Sequence, residues 1–286
     1  MTEFFLLAGG YGKRAEPLSS YLPKPIFPLN GIPLISHISS QLKKGGVSRG
    51  NVNLCHMGEK IENIPLPGLD IEYINEKVLS GNRVLKEAAE MDGEYLLVVN
   101  GDTYMEVPVR ELIKKVDSSG ADGAVLLRAK GDGVYSSVIF NGENFLKRDK
   151  DPVAGQFMYT GVSVFRKEIV NEFREENLFD SLERIGANIK VLIYDGIWFD
   201  LGTPELYFSA DSGFRKYYGI KNTNSLSSNV SILPESDITN SIIWENTQVG
   251  NRVKLNNCIV TGNMSLENCN YSNKIITPSR IYDLKI

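Results

Sequence analysis

Short apolar runs stopped by glycine turns alternate with stretches of helical periodicity over the first two thirds of the chain. That alternation narrows the fold to an α/β type, with ligands at the carboxyl ends of the strands. The run Glu3–Ala8 (EFFLLA) ends at Gly9 and Gly10, the form of a parallel strand buried on both faces. A helix is expected from about Pro33, a residue suited to a first turn, to Gly45-Gly46, with Leu34, Ile38 and Leu42 as one apolar stripe. Strands are expected at Asn51–Cys55, Asp70–Ile74, Ala124–Arg128, Gly161–Phe165 and Asn188–Tyr194. Tyr95–Asn100 (YLLVVN), the most hydrophobic, is expected to be central. Helices are expected over Val107–Val116, Lys167–Glu176 and Pro204–Tyr217.

The pattern changes near residue 221. Lys221–Asn229 is polar and aperiodic, as in a linker. Beyond it apolar residues recur six apart: Ile232 and Ile238; Ile243, Val249 and Leu255; Val260 and Leu266, with two steps of five between the groups. Short β segments rich in Asn and Gly fit a small solenoid of hexapeptide turns, and a plain antiparallel extension is the alternative. The expected domains are therefore 1–221 and 222–286.

Composition removes several classes. A net charge of −4 argues against a general nucleic-acid binder while leaving room for a local pocket for a small anion. Three cysteines without a CxxC pair point to neither a disulfide framework nor a zinc ribbon, and suggest a reducing compartment. Two histidines, His37 and His56, exclude a multi-histidine metal centre and are read as structural. No apolar run approaches the roughly 20 residues that span a bilayer. The apolar start also lacks the basic flank of a secretory signal. A cytoplasmic protein without nucleic-acid or membrane partners is expected, and a homo-oligomer is left open.

The chemistry is concentrated in Leu6–His37. Gly9, Gly10 and Gly12 are followed at once by Lys13 and Arg14, and Lys24 stands ten residues on between two prolines. Glycines let backbone N–H groups turn inward as an anion nest, and the cations add charge, so the loop suits a di- or triphosphate. It is not a Walker loop, because Leu7 stands where the first glycine belongs and Arg14 where Ser or Thr belongs. Nor is it a dinucleotide fingerprint, which needs a third glycine opening a helix.

Two carboxylates make sense independently. Asp102 follows the most apolar strand, and Asp200 ends the run Ile197–Phe199 just before Gly202. Carboxylates at neighbouring strand ends are the oxygen ligands that Mg²⁺ prefers. Turn initiation explains either one equally well.

The stretch GYGKRAEPLSSYLPKPIFPLNGIPLI resembles the opening motif of the sugar-1-phosphate nucleotidylyltransferases, GxGTRLxPLTxxxPKPxxPxxGxPLI. The resemblance continues through VVNGDTY (Val98–Tyr104), YTGVSVF (Tyr159–Phe165) and WFDLGTPELY (Trp198–Tyr207), and so covers residues 4–207. The tail is similar to the short left-handed β-helix of mannose-1-phosphate guanylyltransferase-like members. The resemblance implies a Rossmann-like three-layer domain with a mixed, mainly parallel sheet. It implies nucleotide contacts at Leu7, Ala8, Gly9, Gly10, Gly12, Lys13, Arg14, Gly81, Asn100 and Gly101. Arg14 and Lys24 would be the catalytic cations, and Asp102 and Asp200 would hold Mg²⁺. Sugar contacts would fall to Glu76, Lys150, Tyr159, Thr160 and Gly161, with Lys150 equally readable as a surface residue.

The sequence also departs from the pattern. Lys13 replaces the usual Thr and Ala15 the usual Leu. The base loop reads LSGNRVLKEA (Leu79–Ala88), with Arg83 about where a glycine is common and equally readable as a solvated helix residue. The implied reaction joins a nucleoside triphosphate, GTP before UTP, to a sugar 1-phosphate, mannose or heptose before glucose or an amino sugar. A catalytically weakened regulatory relative is the alternative class. Retention of Arg14, Lys24, Asp102 and Asp200 argues against it. An acyltransferase role for the tail is disfavoured, because only 57 residues follow Asn229 and neither histidine lies among them.

Overall fold

The strand Thr2–Leu7 has four inner residues buried in succession rather than alternately. The cause is its place between two parallel partners, Arg49–Leu54 and Tyr95–Asn100, in a sheet covered on both faces. The computed structural model describes residues 1–90, 92–131, 135–149 and 156–286. They form two compact units, Met1–Gly10 with Ile38–Trp198, and Tyr11–His37 with Phe199–Ile286.

The first unit is an α/β fold on a nine-stranded mixed sheet. Its spatial order is Asp70–Asn75, Arg49–Leu54, Thr2–Leu7, Tyr95–Asn100, Phe157–Arg166, Gly123–Ala129, Ile189–Ile193, Asn144–Asp149 and Ser137–Asn141. The first four run parallel. Phe157–Arg166 is antiparallel to both neighbours, and its pairing with Gly123–Ala129 shifts register between Tyr159 and Ser163. The core gathers Phe5, Leu96, Val98, Val125, Phe165 and Phe173. Phe165 meets Phe173 edge-on at 5.5 Å, and truncating a phenylalanine in such a place costs about 3–5 kcal/mol.

Several expected elements return with small changes of boundary. Tyr95–Asn100 is internal as expected, and the helix anticipated from Pro33 runs Leu34–Lys44. The helix expected over Lys167–Glu176 is one turn, Lys167–Val170. A separate helix, Leu178–Ile185, follows because the Asn177 side chain caps it, accepting from the N–H groups of Phe179 and Asp180. The hairpin Ser137–Asn141 with Asn144–Asp149 was not anticipated, while Arg83 does lie in a helix, the 3₁₀ helix Gly81–Glu90.

In the second unit, the hairpin Pro28–Leu29 with Ile32–Pro33 packs on the helix Pro204–Tyr217. Pro204 starts that helix, and the Thr203 hydroxyl accepts from the Leu206 N–H. Most of the remainder is a stack of short strands pairing in parallel at 17-residue spacing, Ile232 with Val249, Val249 with Leu266, Ile238 with Leu255, Ile243 with Val260, while Lys254–Val260 pairs with Asn270–Ile276 at a spacing of 16. The sixes and fives of the apolar period are thus the sides of one repeating coil. The plain antiparallel alternative is overturned for these pairs. The presumed linker also contributes a strand, Ser225–Leu226, parallel to Ile242–Ile243. Asparagines at positive φ sit at its corners and bond upward, Asn229 to Asn246 to Asn263 and Asn240 to Asn257 to Asn273. Asn tolerates that backbone region better than other side chains do. Among the described residues no helix is long and apolar enough to cross a membrane.

Candidate active site

In the first unit the glycine turn is anchored by a residue the sequence reading passed over. The Ala8 and Gly9 N–H groups both donate to Asn53 Oδ1, at 2.7 and 3.3 Å. Asn53 Nδ2 in turn donates to Glu76 Oε2 at 2.6 Å. Glu76 Oε1 accepts from both the N–H and the hydroxyl of Ser80. A Cβ on Gly9 would lie 2.9 Å from Asn53 Nδ2, so only glycine brings the backbone this close. Both oxygens of Glu76 are therefore engaged in shaping the turn. The available signal was a polar residue inside the otherwise apolar Val52–Cys55 stretch, since a buried amide must find partners.

The strand ends bring further candidates together. The Gly101 N–H donates to the Leu7 carbonyl at 2.9 Å, which ties the start of the Gly101-Asp102 turn to the first strand. Gly161 has φ +95, and a Cβ there would be 2.9–3.0 Å from the Asn100 side chain. Nucleotide and sugar candidates thus adjoin at Asn100 and Gly161. Thr160 is buried. Its hydroxyl donates to the Leu126 carbonyl at 2.9 Å and accepts from the Val162 N–H at 3.3 Å. Its own carbonyl accepts the Trp198 indole N–H at 2.8 Å. The Tyr159 hydroxyl bonds Ser163, and burial pushes its pKa up so that it stays protonated. Asp102 is half-buried.

Gly81 (φ +58) is needed for a different contact, because its Cβ would stand 2.4 Å from the Glu175 carbonyl oxygen. Arg83 forms an exposed ion pair with Glu175 at 2.9 Å, the solvated alternative of its two readings. Lys150 lies outside the described residues.

The second unit holds the cations. Gly12, at φ +67, opens the one-turn 3₁₀ helix Lys13–Ala15. A Cβ on Gly12 would meet Ser19 Cβ at 2.9 Å and Lys24 Cγ at 3.5 Å, so the loop folds back and lays the Lys24 stem beside the glycine. Lys24 starts a further 3₁₀ turn, following Pro23. Lys13 and Arg14 are exposed.

Arg14 and Asp200 converge at Gly202. The position of a Cβ there is 2.9 Å from Asp200 Oδ1 and 3.3 Å from Arg14 Nη2. Asp200, 8% exposed, accepts the Gly202 N–H at 2.8 Å. A guanidinium and a carboxylate thus lie beside one spot that carries no side chain. No group of three or more His, Cys, Asp or Glu gathers among the described residues. Asp102 in the first unit and Asp200 in the second each offer hard carboxylate oxygens, the donor type a small divalent cation accepts.

The chain is similar to known proteins. The family model described as nucleotidyl transferase matches residues 4–216. A putative mannose-1-phosphate guanyltransferase of Sulfolobus acidocaldarius is 26% identical over 274 residues, covering 91% of this chain and 76% of that protein. The D-glycero-alpha-D-manno-heptose 1-phosphate guanylyltransferase of Campylobacter jejuni is 26% identical over 215 residues, covering 71% and 96%. HddC from Yersinia pseudotuberculosis, complexed with GMP-PN, has the same fold, with a TM-score of 0.64 at 22% identity, covering 75% of this chain and 100% of that one.

Proposed function

The chain belongs to the nucleotidyl transferase family, and from that premise we propose that it makes an NDP-sugar from GTP and mannose 1-phosphate or a heptose 1-phosphate. A phosphate oxygen of the sugar 1-phosphate attacks the α-phosphorus of the triphosphate. The bond from the α-phosphorus to its bridging oxygen breaks, and pyrophosphate leaves with the electron pair. No protein nucleophile is required, because the attacking phosphate is already ionised. The obstacle is mutual repulsion, so the task of the protein is charge neutralisation and alignment.

The observation that carries the reading is the convergence of Arg14 and Asp200 on Gly202, with Lys24 folded against Gly12 in the same unit. Arg14 grips the triphosphate and stabilises the departing pyrophosphate. Lys24 neutralises charge at the reacting phosphates. The backbone turn at Ala8 and Gly9, fixed by Asn53, shapes the nucleotide side, and the Asn100–Gly161 contact shapes the sugar side. Asp102 and Asp200 would hold Mg²⁺, which supplies charge neutralisation to the phosphates when bound.

The finer architecture belongs to the same proposal: a Rossmann-like three-layer catalytic domain over 1–221 and a short left-handed β-helix over 222–286. Support for the latter is the 17-residue parallel stacking with its asparagine corners. Three free cysteines favour the cytoplasm.

The test is a matrix of four NTPs against mannose, heptose, glucose and amino-sugar 1-phosphates, read by pyrophosphate release with and without Mg²⁺. GTP with mannose or heptose 1-phosphate is expected to be fastest. A preference for UTP with glucose or an amino sugar would overturn the substrate assignment. No release with any pair would overturn the activity.

A further inference from the structure

Between Pro28 and the first coil of the tail runs a buried chain of polar contacts, all within the second unit. The Tyr207 hydroxyl donates to the Pro28 carbonyl at 2.6 Å and accepts the Trp244 indole N–H at 3.0 Å. Tyr207 and Trp244 are almost without exposed surface. The Phe27 ring lies 5.2 Å from Tyr207 and 5.3 Å from Trp244. One helical turn on from Tyr207, Asp211 accepts the Asn30 N–H at 2.7 Å and is itself paired with Arg215.

Two more contacts join the same loop to the tail. The Tyr21 hydroxyl bonds that of Ser279 at 2.8 Å. Gly31, at φ +77, lies so close to the tail that a Cβ would be 2.1 Å from the Leu226 carbonyl oxygen. The stretch that carries Arg14 and Lys24 is thus held by tail residues at three separate places, Tyr21, Phe27–Pro28 and Gly31. A tail serving only as a surface for self-association would have no need of a buried hydrogen-bonded link to this particular loop.

We propose that the tail is a positioning element for the Lys24 loop, with Trp244 acting through the Tyr207 hydroxyl on the Pro28 carbonyl. The inference rests on the nucleotidyl-transfer reading for its kinetic consequence, but not for its structural one. Pro28 is four residues from Lys24, and the intervening 3₁₀ turn Lys24–Ile26 leaves little slack. A shift of the carbonyl therefore shifts the backbone that carries the Lys24 side chain. Misplacement by about 1 Å lowers rates by up to about 10²-fold when alignment is what the site supplies.

The test is Tyr207→Phe, which keeps the ring and removes only the oxygen. Trp244→Phe serves as the second variant. Tyr207→Phe is expected to lower kcat about tenfold in the full-length protein, with the sugar 1-phosphate KM within about twofold. In a Lys24→Ala background the same change is expected to lower kcat by less than about twofold, because the group being positioned is gone. An equal loss in both backgrounds, or no loss in either, overturns the proposal. Hydrogen exchange gives a readout independent of turnover. Peptides covering Lys24–Gly31 should exchange faster in Tyr207→Phe while those of Val253–Ile276 stay unchanged, and unchanged Lys24–Gly31 peptides overturn the link. If the parent protein turns over no substrate pair, the functional reading falls and the exchange result still decides the structural one.

Discussion

The loop around Gly202 and the strand around Gly161 use polar residues in opposite ways. Around Gly202 the charged ends of Arg14 and Asp200 face a spot kept empty of side chains. Around Gly161 the side-chain hydroxyls are consumed internally. That of Thr160 is spent on Leu126 and Val162, and that of Tyr159 on Ser163. Under the proposed function the first region would present charge to a ligand, and the second a backbone edge whose amides and carbonyls would do the presenting. Substitutions should therefore damage chemistry in the first region and folding in the second.

The largest effect that would break this contrast is expected from Arg14. Arg14→Ala should lower kcat about 10²-fold or more, with the melting temperature unmoved because the side chain is exposed. Steady-state kinetics beside a thermal melt measure both, and near-normal turnover would remove Arg14 from its role. Thr160→Val should do the reverse. It strips the Leu126 carbonyl of its donor, and a denaturant titration should show a loss of about 1–3 kcal/mol, with KM for the sugar changed little in the folded protein. A selective rise in that KM would instead make the hydroxyl a ligand.

A smaller effect concerns pH. His37, in the loop-bearing unit, donates its Nε2–H to the Leu29 carbonyl at 2.9 Å and meets Phe214 edge-on. Burial lowers its pKa below 6.5, outweighing the backbone bond that raises it. The folded state therefore binds fewer protons than the unfolded chain between the depressed value and about 6.5. Stability from this group is complete above about pH 6.5 and falls as the medium becomes more acid. His37→Phe should flatten that part of a stability–pH curve, and an unchanged slope would contradict it. Smallest of all, Arg83→Ala removes an exposed ion pair and should leave melting within about 2 °C. A large loss of nucleotide affinity there would return Arg83 to the base pocket.

What could be read ahead of the structure was what neighbours in sequence decide. The start of the helix Pro204–Tyr217 was legible because Pro204 suits the first turn of a helix. The coil was legible as a period, since identical environments recur whenever the chain completes a turn. The strand Ser225–Leu226 was not, because its partner lies 17 residues on and nothing local in a polar stretch demands extension. For the candidate site, Gly12, Arg14 and Lys24 were legible as a motif because they are close neighbours in sequence. Asn53 was hidden, since its purpose appears only when Ala8 and Gly9, more than forty residues earlier, arrive beside it. The same holds for Tyr207, whose partners Pro28 and Trp244 flank it at distances of 179 and 37 residues.

The final strand Ile281–Asp283 pairs antiparallel to Asn270–Ile276, unlike the parallel rungs before it. Reversal at that edge stops the repeat from templating another rung, as a hem stops cloth from unravelling. Longer versions of such a coil would then arise by inserting whole 17-residue blocks ahead of Asn270, each carrying its own corner asparagines, rather than by appending blocks after the hem.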